Sequence, residues 1–106
     1  MKQQSRVIIG PLTIDKPRHL VQMGNRSIHL TPIEFALLCT LAECPGKVYR
    51  REELLNRVWG EGLYVEVRTV DAHMSKLRHK LRMSEDSLSF AETVWGIGYR
   101  LRDPSS

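Results

Sequence analysis

The sequence has few of the residues that build metal centres or disulfide frameworks. It contains two cysteines and four histidines among 106 residues, and none of them shows the spacing of a zinc site. Cys39 and Cys44 lie in one predicted helix, where side chains five positions apart point about 140° away from each other and cannot form a disulfide. Both cysteines are therefore expected to be thiols in or near the core. No metal and no other cofactor is expected.

Long apolar runs are also missing. No run approaches the roughly 18 residues that a membrane-spanning helix requires, and residues 1–5 lack the apolar segment of a secretory signal. A cytoplasmic location is therefore expected. With 42% apolar residues, the chain can bury one modest core. This composition predicts one domain over residues 6–102, with short tails at 1–5 and 103–106.

The excess positive charge is concentrated in residues 67–82. This segment contains five lysines or arginines and a single acid, Asp71, so its surplus of four equals the formal net charge of +4 of the whole chain. Clustered cations on one helix are typical of a protein that binds a polyanion. A solvated amphipathic helix with a coincidental run of charge is the alternative, and the helix by itself does not decide between them. Four apolar residues have the spacing of one buried helical face: Val70, Met74, Leu77 and Leu81.

The opposite face of this helix is predicted to be basic and finely polar. Such side chains can reach the edges of bases, and an alanine can pack on a thymine methyl group. The residues on this face are Arg68, Ala72, Ser75 and His79, flanked by Thr69, Lys76, Arg78 and Arg82.

The segments before the basic helix predict a small sheet and two further helices. Residues 6–30 alternate short apolar runs with turn signals, which favours four antiparallel strands. Thr31-Pro-Ile-Glu has the pattern of a capping box with proline at the first helical position, so a core helix should begin at Pro32 and end near Cys44. A shorter helix is predicted over residues 50–59.

The first turn of the shorter helix carries Arg50 and Arg51, where the positive end of the helix dipole disfavours cations. A DNA phosphate bound at this end would relieve the conflict. A surface arginine pair offset by Glu52 and Glu53 is the alternative. Trp59, at the other end of the helix, could lie in the core or donate its indole N–H to a phosphate.

The order of helix, loop and basic helix is similar to a helix-turn-helix with an expanded turn. Beyond the basic helix, residues 90–101 predict a hairpin with a glycine-rich tip, which is the position of a wing. Trp95, Arg100 and Arg102 could contact a DNA backbone or minor groove. Trp95 and Tyr99 could equally pack against the basic helix.

Several short motifs follow one another in a fixed order between residues 6 and 101. They are Leu30-Thr-Pro-Ile-Glu-Phe-Ala-Leu-Leu, Pro45-Gly-Lys-Val, Arg51-Glu-Glu-Leu-Leu, Val58-Trp-Gly, Arg68-Thr-Val-Asp-Ala-His-Met-Ser-Lys-Leu-Arg-His-Lys-Leu and Thr93-Val-Trp-Gly-Ile-Gly-Tyr-Arg-Leu. Each motif is weak by itself, but the ordered set resembles the winged-helix effector domain of OmpR/PhoB-type bacterial response regulators.

This resemblance implies an α+β winged helix with an N-terminal four-stranded antiparallel sheet, three helices and a C-terminal hairpin wing. It implies a transcription factor of a two-component phosphorelay that binds duplex DNA, with the third helix in the major groove and the wing on the minor groove. The implied partners are direct-repeat half-sites, RNA polymerase and a phosphoacceptor receiver domain absent from this chain. The isolated domain is expected to be monomeric and to dimerise on DNA.

The resemblance also assigns roles to residues, position by position. Contacts to bases or to the adjacent groove fall on Arg68, Ala72, His73, Ser75, Lys76 and Arg78. Phosphate contacts fall on Arg51, Trp59 and Thr69, beside Arg50, which stands where the family favours a serine N-cap. In the wing, Trp95 occupies the place of a minor-groove arginine in some members, and Arg100 follows it. The loop that can touch RNA polymerase in the family corresponds to Glu61, Leu63, Tyr64 and Glu66, with a plain connector as the alternative.

Protein docking and enzymatic hydrolysis are the two alternatives to DNA binding. A winged helix can also dock proteins, and the N-terminal sheet offers a surface for this, but the concentration of charge on one helix argues against it as the main role. Asp71 with His73, or His79 with a nearby serine, could form a hydrolytic pair. No orienting third residue, phosphate loop or oxyanion motif accompanies either pair, so no enzymatic activity is expected.

Overall fold

The N-terminal part of the chain forms a four-stranded antiparallel meander. In the computed structural model, which describes residues 5–62, 64–84 and 88–104, the strands are adjacent in chain order. They are β1 (Arg6–Ile9), β2 (Leu12–Asp15), β3 (Leu20–Met23) and β4 (Arg26–Ile28). Alternate side chains along β2 and β3 are buried, as expected for a sheet with one face on the core. The predicted sheet is confirmed.

Three helices pack under this sheet: α1 (Pro32–Ala42), α2 (Arg51–Trp59) and α3 (Arg68–Lys80). Helix α1 is central, because Leu37, Leu38 and Leu41 are fully buried and because α1 packs against both of the other helices. Buried residues from the strands and all three helices belong to a single hydrophobic cluster. Among the described residues, no helix is long and apolar enough to cross a membrane.

The start of α1 is fixed by a reciprocal capping box, as the sequence predicted. The Thr31 hydroxyl accepts a hydrogen bond from the Glu34 amide at 3.1 Å, and Glu34 Oε1 accepts one from the Thr31 amide at 3.0 Å. These two bonds satisfy amides that the helix itself leaves without partners.

Replacing Thr31 with alanine should lower the free energy of unfolding by about 1 kcal/mol, because the Glu34 amide loses its acceptor. Urea denaturation followed by circular dichroism measures this change. Thr31→Ser is the matched control, since serine keeps the hydroxyl, and it should unfold within about 0.5 kcal/mol of the wild type. Equal stability of the alanine variant and the wild type would contradict the role of the cap.

The C-terminal hairpin belongs to a second, three-stranded sheet. Strands β6 (Ala91–Val94) and β7 (Gly98–Leu101) form the predicted hairpin, and β7 also pairs with a two-residue strand β5 (Tyr49–Arg50). A side chain at Gly98 would overlap the Tyr49 carbonyl group, so the close approach of β5 to β7 depends on glycine there. Strand β5 and its pairing with β7 were not predicted from the sequence.

The prediction that both cysteines lie in one helix and near the core is wrong for Cys44. Helix α1 ends at Ala42 with Glu43 as its C-cap, and Cys44 is exposed in the turn that follows. The adjacent Pro45 and Gly46 disfavour continuation of the helix. Cys39 is half-buried, and burial raises the pKa of its thiol.

Candidate nucleic-acid interface

Helix α3 separates apolar and polar side chains onto opposite faces. Val70, Met74, Leu77 and the following Leu81 are all fully buried, which confirms the predicted core face. The opposite side chains are exposed, and we call this set the outward face of α3: Arg68, Ala72, Ser75, Lys76 and His79. The core therefore holds a basic and polar surface toward solvent.

Three further predicted contact residues lie on the flanks of α3. Thr69, His73 and Arg78 are half-buried. The His73 ring lies 5.5 Å from the ring of Trp59, centroid to centroid, and Trp59 packs against the edge of the core. Trp59 thus contacts α3 through His73 and is partly buried against the core, while part of its surface stays accessible.

The cations of α3 divide into those with a carboxylate partner and those without one. Arg68 contacts Glu66 at 3.0 Å on the surface, and Lys80 contacts Glu34 at 2.6 Å. Lys76, in contrast, forms no ion pair with any residue that the structure describes. The charge count in the sequence treated these three cations as equivalent.

Glu34 is a buried carboxylate behind α3, with only 1% of its side chain exposed. Burial raises the pKa of Glu34. The hydrogen bonds from Lys80 and Thr31 and the charges of Lys80 and His73 lower it by more than burial raises it, so the pKa lies below its ordinary value. Glu34 therefore has a second role besides the predicted cap. It holds Lys80 against the body of the domain.

Arg51 and Asp71 form a bidentate ion pair between α2 and α3. Arg51 Nε donates to Asp71 Oδ1 at 3.1 Å, and Arg51 Nη2 donates to Asp71 Oδ2 at 2.6 Å. The sequence had offered a phosphate, or Glu52 with Glu53, as the anion near this arginine. Neither glutamate is the direct ion-pair partner of Arg51, because its carboxylate partner comes from α3 and Glu53 pairs with Lys47 at 3.0 Å.

Arg50 remains exposed at the N-cap of α2, where its side chain forms no capping hydrogen bond. Arg50 lies beside Arg51, Asp71 and Tyr99 around one cleft.

The two aromatic residues of the wing have different environments. Trp95 is 88% exposed at the tip of the hairpin, beside the half-exposed Ile97, so the prediction that it could pack against α3 is wrong. The reason is that it occupies the turn between β6 and β7, beyond the sheet. Tyr99 does pack inward, and its hydroxyl donates to Asp71 Oδ1 at 2.7 Å.

The two wing arginines contact the same glutamate on the neighbouring strand. Glu92 lies opposite Arg100 in the hairpin register and contacts Arg100 at 3.0 Å and Arg102 at 3.2 Å. The sequence analysis missed this glutamate, although the alternation of the predicted hairpin would have placed it opposite Arg100.

A cleft of about 700 Å³ joins the start of α2, the flank of α3 and the wing. It brings together residues from three parts of the sequence that had been assigned to DNA contacts. Its lining includes Arg50, Arg51, Asp71, Arg78, Trp95 and Tyr99. Because Asp71 is committed to Arg51 and Tyr99, it is not available as the partner of His73 in a hydrolytic pair.

The loop between α2 and α3 is exposed where the structure describes it. Glu61, Tyr64 and Glu66 are all exposed, and the Tyr64 side chain is fully accessible. Leu63, the fourth residue assigned to this loop, lies outside the described residues. The loop therefore presents acidic and aromatic side chains next to the start of α3.

Comparison with known proteins identifies the family. The family model described as "Transcriptional regulatory protein, C terminal" matches residues 25–101. The chain belongs to this family. The family consists of domains of transcriptional regulators and is not a family of enzymes. The response-regulator resemblance inferred from the ordered motifs is thereby confirmed.

The similarity to a known member of the family extends over nearly the whole chain. The transcriptional regulatory protein SrrA of Staphylococcus aureus is 44% identical over 96 residues, which are 90% of this chain and 40% of SrrA. The chain thus spans less than half the length of that relative.

Solved structures confirm the winged-helix fold. The DNA-binding domain of Klebsiella pneumoniae RstA, in complex with the RstA box, superposes with a TM-score of 0.78 and 30% identity, over 92% of this chain and 96% of that one. The DNA-binding domain of the response regulator AdeR, in complex with an intercistronic region, gives a TM-score of 0.76 and 34% identity, over 92% and 98% of the two chains.

Proposed function

We propose that this domain binds duplex DNA sequence-specifically as the effector domain of a response-regulator transcription factor. The observation that carries the proposal is the outward face of α3, where Arg68, Ser75 and Lys76 stand on a helix whose other face is fully buried. A major groove about 12 Å wide accepts such a helix. The complexes of RstA and AdeR with DNA support this function for their relative.

In the proposed complex, α3 lies in the major groove as the recognition helix. Arg68, Ser75 and Lys76 reach base edges, and the Ala72 methyl group packs on a thymine methyl. His73 and Arg78, on the two flanks of the helix, contact the adjacent sugars and phosphates. The direction of these side chains supports base reading by a few residues and positioning by the rest.

Phosphate contacts are proposed for the start of α2 and the flank of α3. Arg50 and Arg51 at the start of α2, Trp59 at its end and Thr69 on the flank of α3 are the proposed contacts, and the free amides at the start of α2 favour an anion. The wing lies on the minor groove and contributes Trp95 and Arg100. Since Glu92 already holds Arg100, the exposed Trp95 is the main proposed contact of the wing.

The proposed partners extend beyond one stretch of DNA. We propose that residues 6–102 act as one domain in the bacterial cytoplasm, joined in the full-length protein to a receiver domain. Two copies then occupy direct-repeat half-sites. RNA polymerase is proposed to contact the loop through Glu61, Tyr64 and Glu66, since the fully exposed Tyr64 is of a residue type enriched in protein interfaces.

Selection of random duplex oligonucleotides by the purified domain should recover a repeated half-site. On that duplex, Lys76→Ala and Arg68→Ala should each weaken binding by about 1–3 kcal/mol if they read bases. Fluorescence anisotropy of the labelled duplex measures the change. Lys16→Ala is the matched control, because Lys16 is also exposed but lies in the turn between β2 and β3.

The outcome separates the proposal from its alternative. If no sequence is enriched, or if both α3 variants bind as tightly as Lys16→Ala, sequence-specific binding through α3 is refuted. Enrichment with losses confined to the α3 variants supports it.

A further inference from the structure

The carboxylate of Asp71 joins the three elements that form the proposed DNA-binding surface. It belongs to the first turn of α3 and accepts two hydrogen bonds from Arg51 at the start of α2. Asp71 Oδ1, which accepts the hydrogen bond from Arg51 Nε, also accepts one from the Tyr99 hydroxyl at 2.7 Å. Tyr99 belongs to β7 in the wing. One side chain thus connects the recognition helix, the preceding helix and the wing.

These contacts lie at the cleft where the three elements meet. Arg51, Asp71 and Tyr99 all line it, together with the proposed DNA contacts Arg50 and Arg78. The Tyr99 ring is 8% exposed, so its hydroxyl is directed from a fixed core position. Arg51 and Asp71 keep 41% and 37% of their side-chain surface exposed, so the pair faces the cleft.

The exposure of this ion pair indicates that it matters more for the relative orientation of α2, α3 and the wing than for the stability of the fold. An ion pair with this exposure contributes little to folding, because solvent screens the charges. The same contacts have a larger effect on binding, because elements already held in place lose less conformational freedom when DNA is bound.

We infer that Asp71 is a positioning residue for DNA recognition, which holds the start of α2 and the wing at a fixed orientation to the recognition helix. The inference rests on the proposed DNA-binding function. Asp71 itself, as an anion, is not expected to contact a phosphate. Arg51 has five N–H donors, and those not directed at Asp71 remain available for the DNA backbone.

The test compares Asp71→Asn, Tyr99→Phe and the double variant with the wild type. The control is Glu43→Gln, which removes the similarly exposed Arg57–Glu43 pair away from the cleft. For each protein, urea denaturation gives stability, fluorescence anisotropy gives affinity for the selected duplex, and residual dipolar couplings of backbone amides give the orientation of the wing relative to α3 in free protein.

We expect Asp71→Asn to bind the duplex about tenfold more weakly, while its stability changes as little as that of Glu43→Gln. The double variant should bind within about twofold of Asp71→Asn, because the two substitutions disrupt one connected set of hydrogen bonds and their effects are therefore not additive. The dipolar couplings of the wing should shift relative to α3 in Asp71→Asn and stay unchanged in Glu43→Gln.

Affinity of Asp71→Asn within twofold of the wild type would overturn the inference, and so would additive losses in the double variant. If Asp71→Asn fails to fold, Tyr99→Phe alone decides, since its ring still fills the core. If the wild type itself does not bind DNA, the proposed function fails. The dipolar couplings then decide on Asp71 separately, because an unchanged wing orientation in Asp71→Asn refutes its positioning role.

Discussion

Raising the salt concentration from about 50 to about 200 mM should weaken binding of the domain to its duplex about 150-fold. This value follows from about four neutralised phosphates, because the logarithm of the affinity falls with the logarithm of salt by about 0.9 for each phosphate. The four cations that we expect to be available are Arg50, Arg68, Lys76 and Arg78. Fluorescence anisotropy at four or more salt concentrations measures the slope.

The structure decides which cations enter this estimate. Arg68 is included although Glu66 contacts it, because both side chains are more than two thirds exposed and such a pair is easily exchanged for a phosphate. Arg51 and Lys80 are not counted, because Asp71 already compensates the charge of Arg51, even where the remaining Arg51 donors contact the DNA backbone, and the buried Glu34 compensates the charge of Lys80. A slope that corresponds to six phosphates would contradict this division.

Charge reversal at Lys76 provides the matched test. Lys76→Glu should reduce the salt slope, because a positive charge placed between the phosphates of the groove is lost and an unfavourable negative charge takes its place. Lys16→Glu changes the net charge of the chain by the same amount but lies away from α3. If both variants give the same slope, binding responds to net charge alone, and the proposed orientation of α3 is wrong.

The elements with a local sequence signal could be predicted, and the contacts between distant elements could not. The capping box at Thr31 and the apolar spacing of α3 involve residues three or four positions apart, so the sequence contains the whole pattern. Strand β5 has only two residues, which is too short for any alternation. It exists as a strand because Gly98, far along the chain, allows β7 to approach.

The candidate interface shows the same division. The direction of Arg68, Ala72 and Lys76 followed from the helical period alone, and the structure agrees. The partners of Asp71 and Lys80 lie on other elements, at sequence separations of 20 to 46 residues, and no local pattern indicates them. For this reason the sequence analysis assigned no structural partner to Asp71 and counted Lys80 only among the cations of residues 67–82.

Lys76 and Lys80 are one helical turn apart and yet have different roles. Lys76 is exposed and has no carboxylate partner among the residues that the structure describes, whereas Lys80 compensates a buried charge. The second carboxylate oxygen of Glu34 is buried without a hydrogen-bond partner among the described residues, so Lys80 is the main source of compensation. Substituting the two lysines by the same residue should therefore separate DNA binding from stability.

Lys80→Met should lower the free energy of unfolding at neutral pH by about 3 kcal/mol, because it leaves the carboxylate of Glu34 buried without its cation. Lys76→Met is the matched control and should change stability by no more than about 0.5 kcal/mol. Urea denaturation of both variants measures the difference. Equal stabilities would show that Glu34 does not depend on Lys80.

The pH dependence of stability should also change sign in Lys80→Met. In the wild type the pKa of Glu34 lies below its ordinary value of 4.5, so its contribution to stability is present above that value and is lost as the pH falls through the folded-state pKa. Without Lys80, burial dominates and raises the pKa above the ordinary value. The folded variant then prefers the protonated acid, so Lys80→Met should gain stability relative to Lys76→Met as the pH is lowered from 7 to 5. A loss over this range would mean that Glu34 remains charged and compensated without Lys80.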